Sequence, residues 1–338
     1  MKVLVTGGTG FIGSHTCVDL LNENYEVVII DNLSNSKLEV IDKIYELTGK
    51  RVTFYEMDLR NKQGLDKIFE HEKFDAVMHF AGAKAVGESV LYPLEYFDNN
   101  IISTVYLLEA MNKYNVKKFI FSSSATVYGN AKTMPLYETS ETGVLNPYGR
   151  TKLMIEEMLR DFSHANKDME IVILRYFNPV GAHKSGIIGE DPNGIPNNLM
   201  PIILEASLGM REKVNIFGND YDTKDGTGVR DYIHVCDLSR GHIAALENIK
   251  PGIDVFNLGT GKGYSVLEMI NTFEKVNGVK INHEFVGRRE GDIATCYANV
   301  DKAKNELNWE AQLGIEDMCK DAYNYALVSK VNYEKKRI

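Results

Sequence analysis

At 338 residues the chain is long enough for roughly two domains, or one elaborate one, with ample core. Hydrophobic residues make up 44% and charged residues 25%, the balance of an ordinary soluble globular protein. The net charge of −9 argues against a nucleic-acid or anionic-membrane surface, so a polyanionic ligand would be held locally by backbone N–H groups, helix ends or a few arginines.

The longest apolar runs, such as VVII at 27–30, are too short to span a bilayer. Strand-like sequence begins at Lys2 and leaves no room for a signal peptide. Cys17, Cys236, Cys296 and Cys319 are scattered without a CxxC. That spacing suggests free thiols in a reducing cytoplasm and argues against a structural zinc, so no metal is expected.

In chain order, KVLVT (2–6) reads as a buried strand, followed by a glycine-rich turn and a helix to about Glu23. EVVII (26–30) is a second strand. Residues 36–48 are helical, with Leu38, Ile41, Ile44 and Leu47 at spacings of three. RVTFYEM (51–57) is a third strand, and a helix follows near 61–72. AVMHFAG (76–82) is a fourth strand, and one long helix is expected from about Pro93 to Tyr114. KFIFSSS (118–124) is a fifth strand, NPYGRTKLMIEEML (146–159) opens an amphipathic helix, and EIVILRYF (170–177) is a sixth strand. In that helix Asn146 suits the N-cap and Pro147 the first turn.

Strand–helix alternation with near-continuous apolar strands implies an α/β fold: a doubly wound parallel sheet of the Rossmann type, covered on both faces. After Asn178 the texture changes. Residues 179–228 are rich in Gly, Pro, Asn and Asp and read as loops with one helix near 198–209. DVFNLG (254–259) is one more sheet strand, and 265–278, 301–308 and 314–330 are helical. A smaller substrate domain is therefore interleaved with the first. The expected division is 1–178 as the dinucleotide domain, joined by segments near 230–260, with 179–338 mainly for substrate.

TGGTGFIG (6–13) sets Gly7, Gly10 and Gly13 between a strand and a helix. Glycines there permit a tight turn and close approach of backbone to a pyrophosphate, and the helix N-terminus offers free N–H groups. Asp31 ends the second strand. A carboxylate there accepts from ribose hydroxyls and repels a 2′-phosphate, which favours NAD over NADP. Asp58 ends the third strand, where it either reaches the adenine or caps a helix. His79, on a buried strand, reads as a core residue; the other histidines and the lysines at 335–336 read as exposed or structural.

Tyr148 and Lys152 lie four apart and so share one face of their helix. Beside a dinucleotide, hydride transfer requires a group that moves the hydroxyl proton. A tyrosine ordinarily loses its proton near 10, and a neighbouring cation lowers that by roughly 1–3. The pair is then a credible general base. SSSA (122–125) ends the fifth strand, where such sheets bind ligands, and Ser123 completes an expected Ser–Tyr–Lys set.

TGGTGFIG, HFAGAKAVGES (79–89), SSSATVYG (122–129), YxxxK (148–152), RYFNPVGAH (175–183), DGTGVRDYIHV (225–235) and GRREGD (287–292) occur in this order. Together they resemble the UDP-glucose 4-epimerase family of the extended short-chain dehydrogenase/reductase superfamily, from about residue 2 to 325. The glycine turn and YxxxK identify only the superfamily; the later motifs are more specific. The resemblance implies reversible epimerisation of UDP-galactose and UDP-glucose at C4 with bound NAD.

It also implies roles for residues. Gly7, Gly10, Phe11, Ile12 and Gly13 would line the NAD pyrophosphate. Asp31, Asn32, Ser34, Asn35 and Ser36 would surround the adenosine ribose, with Asp58 and Leu59 at the adenine. Phe80, Ala81, Gly82, Ala83 and Lys84 would follow the cofactor with Asn99 behind them, and Phe177 would lie by the nicotinamide. Ser123, Tyr148 and Lys152 would be catalytic and would touch the cofactor, Ser123 and Tyr148 the sugar as well. Asn178, Asn198, Leu199, Asn215, Phe217, Arg230, Arg289 and Asp292 would hold the UDP-sugar. In the resembling family the residue four after the GRREGD aspartate borders the sugar's 2′ substituent. Here it is Cys296, and its small size implies acceptance of UDP-GalNAc and UDP-GlcNAc. The resemblance implies a homodimer through the helices near 93–114 and 147–162.

Three other readings compete. Related dehydratases and decarboxylases place an acid after the strand-five serine or threonine, whereas Ala125 and Thr126 stand here, so elimination lacks its acid. A reductase releasing NADH is less favoured, though the residues alone leave it open. A non-catalytic NAD-sensing protein tends to lose the tyrosine or the lysine, and both are present.

Overall fold

A computed structural model describes residues 1–193, 196, 198–289 and 291–335. Lys336 and Glu290 of the GRREGD stretch lie outside the described residues, as does the side chain of Lys335. The first half builds β1 (Lys2–Thr6), α1 (Phe11–Asn22), β2 (Glu26–Asp31), α2 (Glu39–Thr48), β3 (Thr53–Glu56), α3 (Lys62–Glu72) and β4 (Ala76–His79). It continues through α4 (Val86–Leu91), α5 (Pro93–Phe97), a π turn (Asp98–Ile102), α6 (Ser103–Lys113), β5 (Lys118–Ser124), α7 (Pro147–Ala165) and β6 (Glu170–Tyr176).

The second half holds β7 (Asn178–Val180), α8 (Leu199–Ser207), β8 (Val214–Phe217), β9 (Val229–Arg230), β10 (Tyr232–His234) and α9 (Val235–Glu247). It ends with β11 (Gly252–Leu258), β12 (Tyr264–Ser265), α10 (Val266–Asn277), β13 (His283–Val286), β14 (Thr295–Cys296), α11 (Asp301–Leu307) and α12 (Ile315–Lys335).

Seven strands form one all-parallel sheet in the order β11-β6-β5-β4-β1-β2-β3. The strand order reverses beside β1, and the crevice beyond the strand ends there is where this architecture binds dinucleotides. Successive residues of each strand face opposite layers. Val3, Val5, Ile120 and Leu174 pack under α1 and α9, while Leu4, Phe119, Phe121 and Ile173 pack under α3, α6 and α7. Both faces are apolar, as a buried parallel sheet requires. A separate core of Met200, Ile203, Ile216, Met269, Phe273 and Met318 joins α8, β8, α10 and α12.

Two expectations need correction. The helix from Pro93 to Tyr114 is not continuous, because a π turn interrupts it at Asp98–Ile102 and swings Asn100 into the interior. Residues 179–228 are not only loops and one helix: β8 crosses them and pairs with β13 across the Asn215↔Glu284 register. Alternation at 214–217 (Val214 and Ile216 buried, Asn215 and Phe217 exposed) was too short to stand out from its polar surroundings.

Candidate active site

The glycine turn follows β1. Gly7 has φ +71°, and a Cβ there would stand 2.7 Å from the Ala81 nitrogen; a Cβ on Gly13 would stand 2.3 Å from the Gly7 carbonyl. Only hydrogen fits at either place. Gly10 caps α1 without a side-chain bond, and the first turn of the helix carries no acid. Its N–H groups are thus left for an anion, with the positive end of the helix dipole behind them.

Asp31 organises the next wall. Its carboxylate accepts from Thr9 N (3.2 Å), Leu33 N (2.9 Å) and Ser36 Oγ (3.1 Å). Asp58 is engaged by Arg60 and by Asn32 Nδ2 at 3.1 Å, and the Arg60 guanidinium holds its carboxyl down at about 2. Leu59 is buried beside them. Asn193 reaches across to this loop, its N donating to Asn35 Oδ1 and its Nδ2 to the Ser34 carbonyl. A cradle that a Cβ would fill, an uncapped helix end and a strand-end carboxylate together fit NAD.

Residues 80–84 continue from the end of β4 as irregular chain. Asn100, rather than Asn99, holds it: Asn100 Oδ1 accepts from Ala83 N at 2.8 Å, and its Nδ2 donates to Ala83 O and to Thr151 Oγ1 at 3.0 Å each. Asn99 donates to Asn100 Oδ1 at 2.9 Å from the half-buried surface. Only the π turn chooses between these neighbouring asparagines. Lys84 pairs with Glu190 at 3.1 Å, and the same carboxylate oxygen accepts from Asn198 Nδ2 at 2.7 Å.

Helix α7 starts as its sequence implies, with Asn146 Oδ1 accepting from Gly149 N at 2.8 Å and Pro147 in the first turn. Its first two turns bring Tyr148 and Lys152 to the end of β5. The three serines there go separate ways. The Ser122 carbonyl accepts from Lys152 Nζ at 2.8 Å. Ser123 is 1% exposed and its hydroxyl donates to Glu156 Oε1 at 2.6 Å. The Ser124 hydroxyl accepts from Thr126 N at 3.2 Å and from Thr126 Oγ1 at 3.0 Å, and lies close enough to the Tyr148 phenol to oppose the rise that burial causes there.

The expected catalytic serine is thereby corrected. Ser123 points into the layer under α7, bonded to Glu156, so of the two neighbouring serines it is Ser124 that stands beside Tyr148. Strand alternation allows one of two adjacent serines to meet the tyrosine, and sequence spacing did not say which.

The electrostatics also depart from expectation. Burial pushes the Tyr148 phenol above its usual value, with the Ser124 hydrogen bond opposing. Burial pushes Lys152 down to about 8, with the Glu156 carboxylate opposing. Lys152 therefore does not lower Tyr148 in the protein alone; desolvation of the phenol wins. His79 is the core residue its strand implied, bonded to Thr6 Oγ1 at 2.7 Å and Thr104 Oγ1 at 3.0 Å and held neutral down to about 3 by burial.

A second set of expected site residues gathers around Asp292 and β8. Arg230 NH2 stands 3.7 Å from Asp292 Oδ1, Arg289 Nε donates to Asp292 Oδ2 at 3.1 Å, and the Arg289 guanidinium lies 5.0 Å from the Phe217 ring centre. Asn215 and Phe217 share the exposed face of β8. Leu199 opens α8, and Asn178, in β7, donates its N–H to the Asp231 carbonyl at 2.9 Å. Cys296 pairs with Arg230 in the β14–β9 register and packs in a small cluster with Val127, Tyr128 and Phe177. Phe177 is 4% exposed, so its ring serves as a wall. Arg230, Arg289, Phe217 and Asp292 thus form one group, well suited by two guanidinium groups to a diphosphate.

Comparison with known proteins gives a consistent picture. The family model described as GDP-mannose 4,6 dehydratase matches residues 4–322. A UDP-glucose 4-epimerase of Bacillus subtilis (strain 168) is 57% identical, the match covering 96% of each chain. The UDP-glucose 4-epimerase of Homo sapiens is 54% identical over 96% of each. A crystal structure of UDP-glucose 4-epimerase from Bifidobacterium longum, in complex with NAD+ and UDP, superposes with a TM-score of 0.95 at 51% identity, covering 98% of this chain and 99% of that one.

Proposed function

This chain belongs to the UDP-glucose 4-epimerase family, and from that premise we propose how its residues divide the work. It is an NAD-dependent isomerase that epimerises UDP-sugars at C4. Residues Gly7, Gly10, Phe11, Ile12 and Gly13 hold the NAD pyrophosphate. Asp31 with Asn32, Ser34, Asn35 and Ser36 holds the ribose, Asp58 and Leu59 flank the adenine, and Phe80 to Lys84, Asn99 and Phe177 border the rest.

Held by these residues, NAD would supply the hydride acceptor for C4 of the sugar and, in reduced form, the donor that returns hydride to the other face. Tyr148 removes the 4-hydroxyl proton, and Ser124 hydrogen-bonds the same oxygen as charge develops. Lys152 supplies positive charge beneath the tyrosine. Arg230, Arg289 and Asp292, with Asn178, Asn198, Leu199, Asn215 and Phe217, keep the UDP half anchored while the 4-keto sugar turns over. The observation that supports this assignment is that Tyr148, Lys152 and Ser124 come together at the end of β5.

The dehydratase reading is weaker. Ala125 and Thr126 bring no carboxylate to the turn after β5, and the Thr126 hydroxyl is engaged by Ser124 at 3.0 Å. Cys296 leaves space beside the sugar, which supports turnover of UDP-GalNAc and UDP-GlcNAc as well. The protein works in the cytoplasm as a homodimer; no helix among the described residues is long and apolar enough to cross a membrane. Residues 1–178 with segments near 230–260 form the NAD domain, and the remainder forms most of the UDP-sugar domain. Incubation of pure protein with UDP-galactose and no added NAD tests the function. UDP-glucose should appear; its absence from folded, NAD-loaded protein would overturn the reading.

A further inference from the structure

Ser123, freed from the active site, belongs to a buried network. It lies opposite Arg175 in the β5–β6 register, and both reach Glu156 on α7. Ser123 Oγ donates to Glu156 Oε1 at 2.6 Å, Arg175 Nε donates to the same oxygen at 3.0 Å, and Arg175 NH2 donates to Oε2 at 2.6 Å. Arg175 NH1 continues to the Tyr128 hydroxyl at 3.0 Å, and Tyr128 donates to Asn257 Oδ1 at 2.6 Å. None of these five residues is more than 2% exposed. Glu156 stands one turn beyond Lys152, which stands one turn beyond Tyr148, so the three form one stripe on α7.

We propose that Glu156 is a positioning residue for the reaction: tied by Ser123 and Arg175, it fixes the α7 face that carries Tyr148 and Lys152 against the sheet and supplies the negative charge facing Lys152. The inference rests on Tyr148 and Lys152 being the catalytic pair. Burial drives Lys152 toward its neutral form, and the Glu156 carboxylate is the opposing charge. The other titratable groups around Lys152 are Tyr148 on its own helix and His79 from β4, which burial keeps neutral. The Phe121 ring and the Ser122 carbonyl of β5 complete its surroundings. Arg175, and Arg160 at 4.0 Å, face Glu156 rather than the lysine. Without the carboxylate, Arg175 loses its buried counter-charge and keeps only neutral acceptors, and Lys152 gives up its proton at lower pH.

The test is the pH profile of kcat/KM for UDP-galactose, with NAD-loaded protein, for Glu156→Gln, Glu156→Asp and the double variant Glu156→Gln/Arg175→Met. Glu156→Gln should move the alkaline limb down by roughly 1 pH unit. Glu156→Asp, which keeps the charge, should lower kcat while retaining the parent limb. A purely structural role lowers the rate alike at every pH, so a parent limb in Glu156→Gln overturns the inference. Should that variant not fold, the double variant gives the same reading, since replacing both members of a buried ion pair is often tolerated. Its limb should also move down, and an unmoved limb is again fatal. Urea unfolding against pH reads the same lysine without turnover: the rise in stability that accompanies its deprotonation should start at lower pH in Glu156→Gln. Tyr148→Phe separates the two claims. Turnover retained in that variant removes the catalytic assignment itself, whereas an inactive Tyr148→Phe beside an unmoved Glu156→Gln limb removes only the role of Glu156.

Discussion

Lys152 Nζ donates to the Ser122 carbonyl at 2.8 Å, and its distance to the Tyr148 ring centre is 6.0 Å. The lysine is therefore fixed to the strand end and stands one turn from the phenol, whose position above its usual value is set by burial, with Ser124 opposing. On the proposed mechanism, a positively charged nicotinamide bound beside Tyr148 would supply the lowering that the protein alone does not.

Tyr148→Phe should lose roughly 100- to 10,000-fold in kcat, the usual contribution of a positioned acid or base. The variant should still carry NAD, because the glycine cradle is untouched. Absorbance of the purified protein reports the cofactor, and coupled detection of UDP-glucose reports turnover. Near-normal turnover would remove the tyrosine from the mechanism.

The two adjacent serines should separate cleanly. Ser124→Ala removes a hydrogen bond to a group that gains charge, an effect of about 1.5–3 kcal/mol, or roughly 10- to 100-fold in kcat. Ser123→Ala instead deprives buried Glu156 of a donor. It should lower unfolding stability by about 1–3 kcal/mol and change kcat less than Ser124→Ala does. The reverse ranking of the two kcat values would restore Ser123 as the catalytic serine.

Stability should depend on Lys152 at alkaline pH. Its folded value is depressed to about 8 by burial, against about 10.4 in an unfolded chain. Between those values the unfolded chain binds the extra proton, so this residue makes stability rise with pH across the window, and its full burial cost is present below about 8. Lys152→Met should flatten that rise. Urea titrations of both proteins at pH 7.5 and 9.5 test it, and an equal rise in the two would show that Lys152 is not the group responsible.

Assembly is testable on α4 and α5, which pack against α7. Leu91 is 72% and Leu94 79% exposed, with Val90, Tyr92 and Met154 also open. Such a patch usually marks an interface, and a second copy is the occupant proposed here. Light scattering at micromolar concentration should give a dimer mass, and Leu94→Glu should shift it toward the monomer. A monomer mass for the parent protein would contradict the proposal.

Cys296→Tyr should suppress turnover of UDP-GalNAc while sparing UDP-galactose, by filling the space beside the 2′ substituent. Cys296 is 9% exposed and packs near Phe177, so thermal unfolding should accompany the assay to exclude general disruption. Brisk turnover of UDP-galactose by the parent protein, with UDP-GalNAc untouched, would dismiss the gate.

The sheet and its cofactor turn were legible because their signals are local. Apolar runs such as VLV and VVII mark buried strands, and Gly7, Gly10 and Gly13 fall between a strand and a helix where backbone approach alone requires them. The cap at Asn146 and the shared face of Tyr148 and Lys152 follow from helical spacing. Short strands such as β8 left too few residues for a period to register. Spacing alone would not have joined Phe217, Arg230 and Arg289: Arg289 lies over Phe217 and shares Asp292 with Arg230 across segments far apart in the chain.

Tertiary structure alone decided which serine stands beside Tyr148 and which asparagine holds the chain after β4. Ser123 and Ser124 differ by one residue, and the angle at which α7 crosses the strand end sends one to Glu156 and the other to Tyr148. The π turn does the same for Asn99 and Asn100. The sign of the shift at Tyr148 was likewise out of reach, because a one-dimensional spacing records which charges are near but not how much water the fold removes.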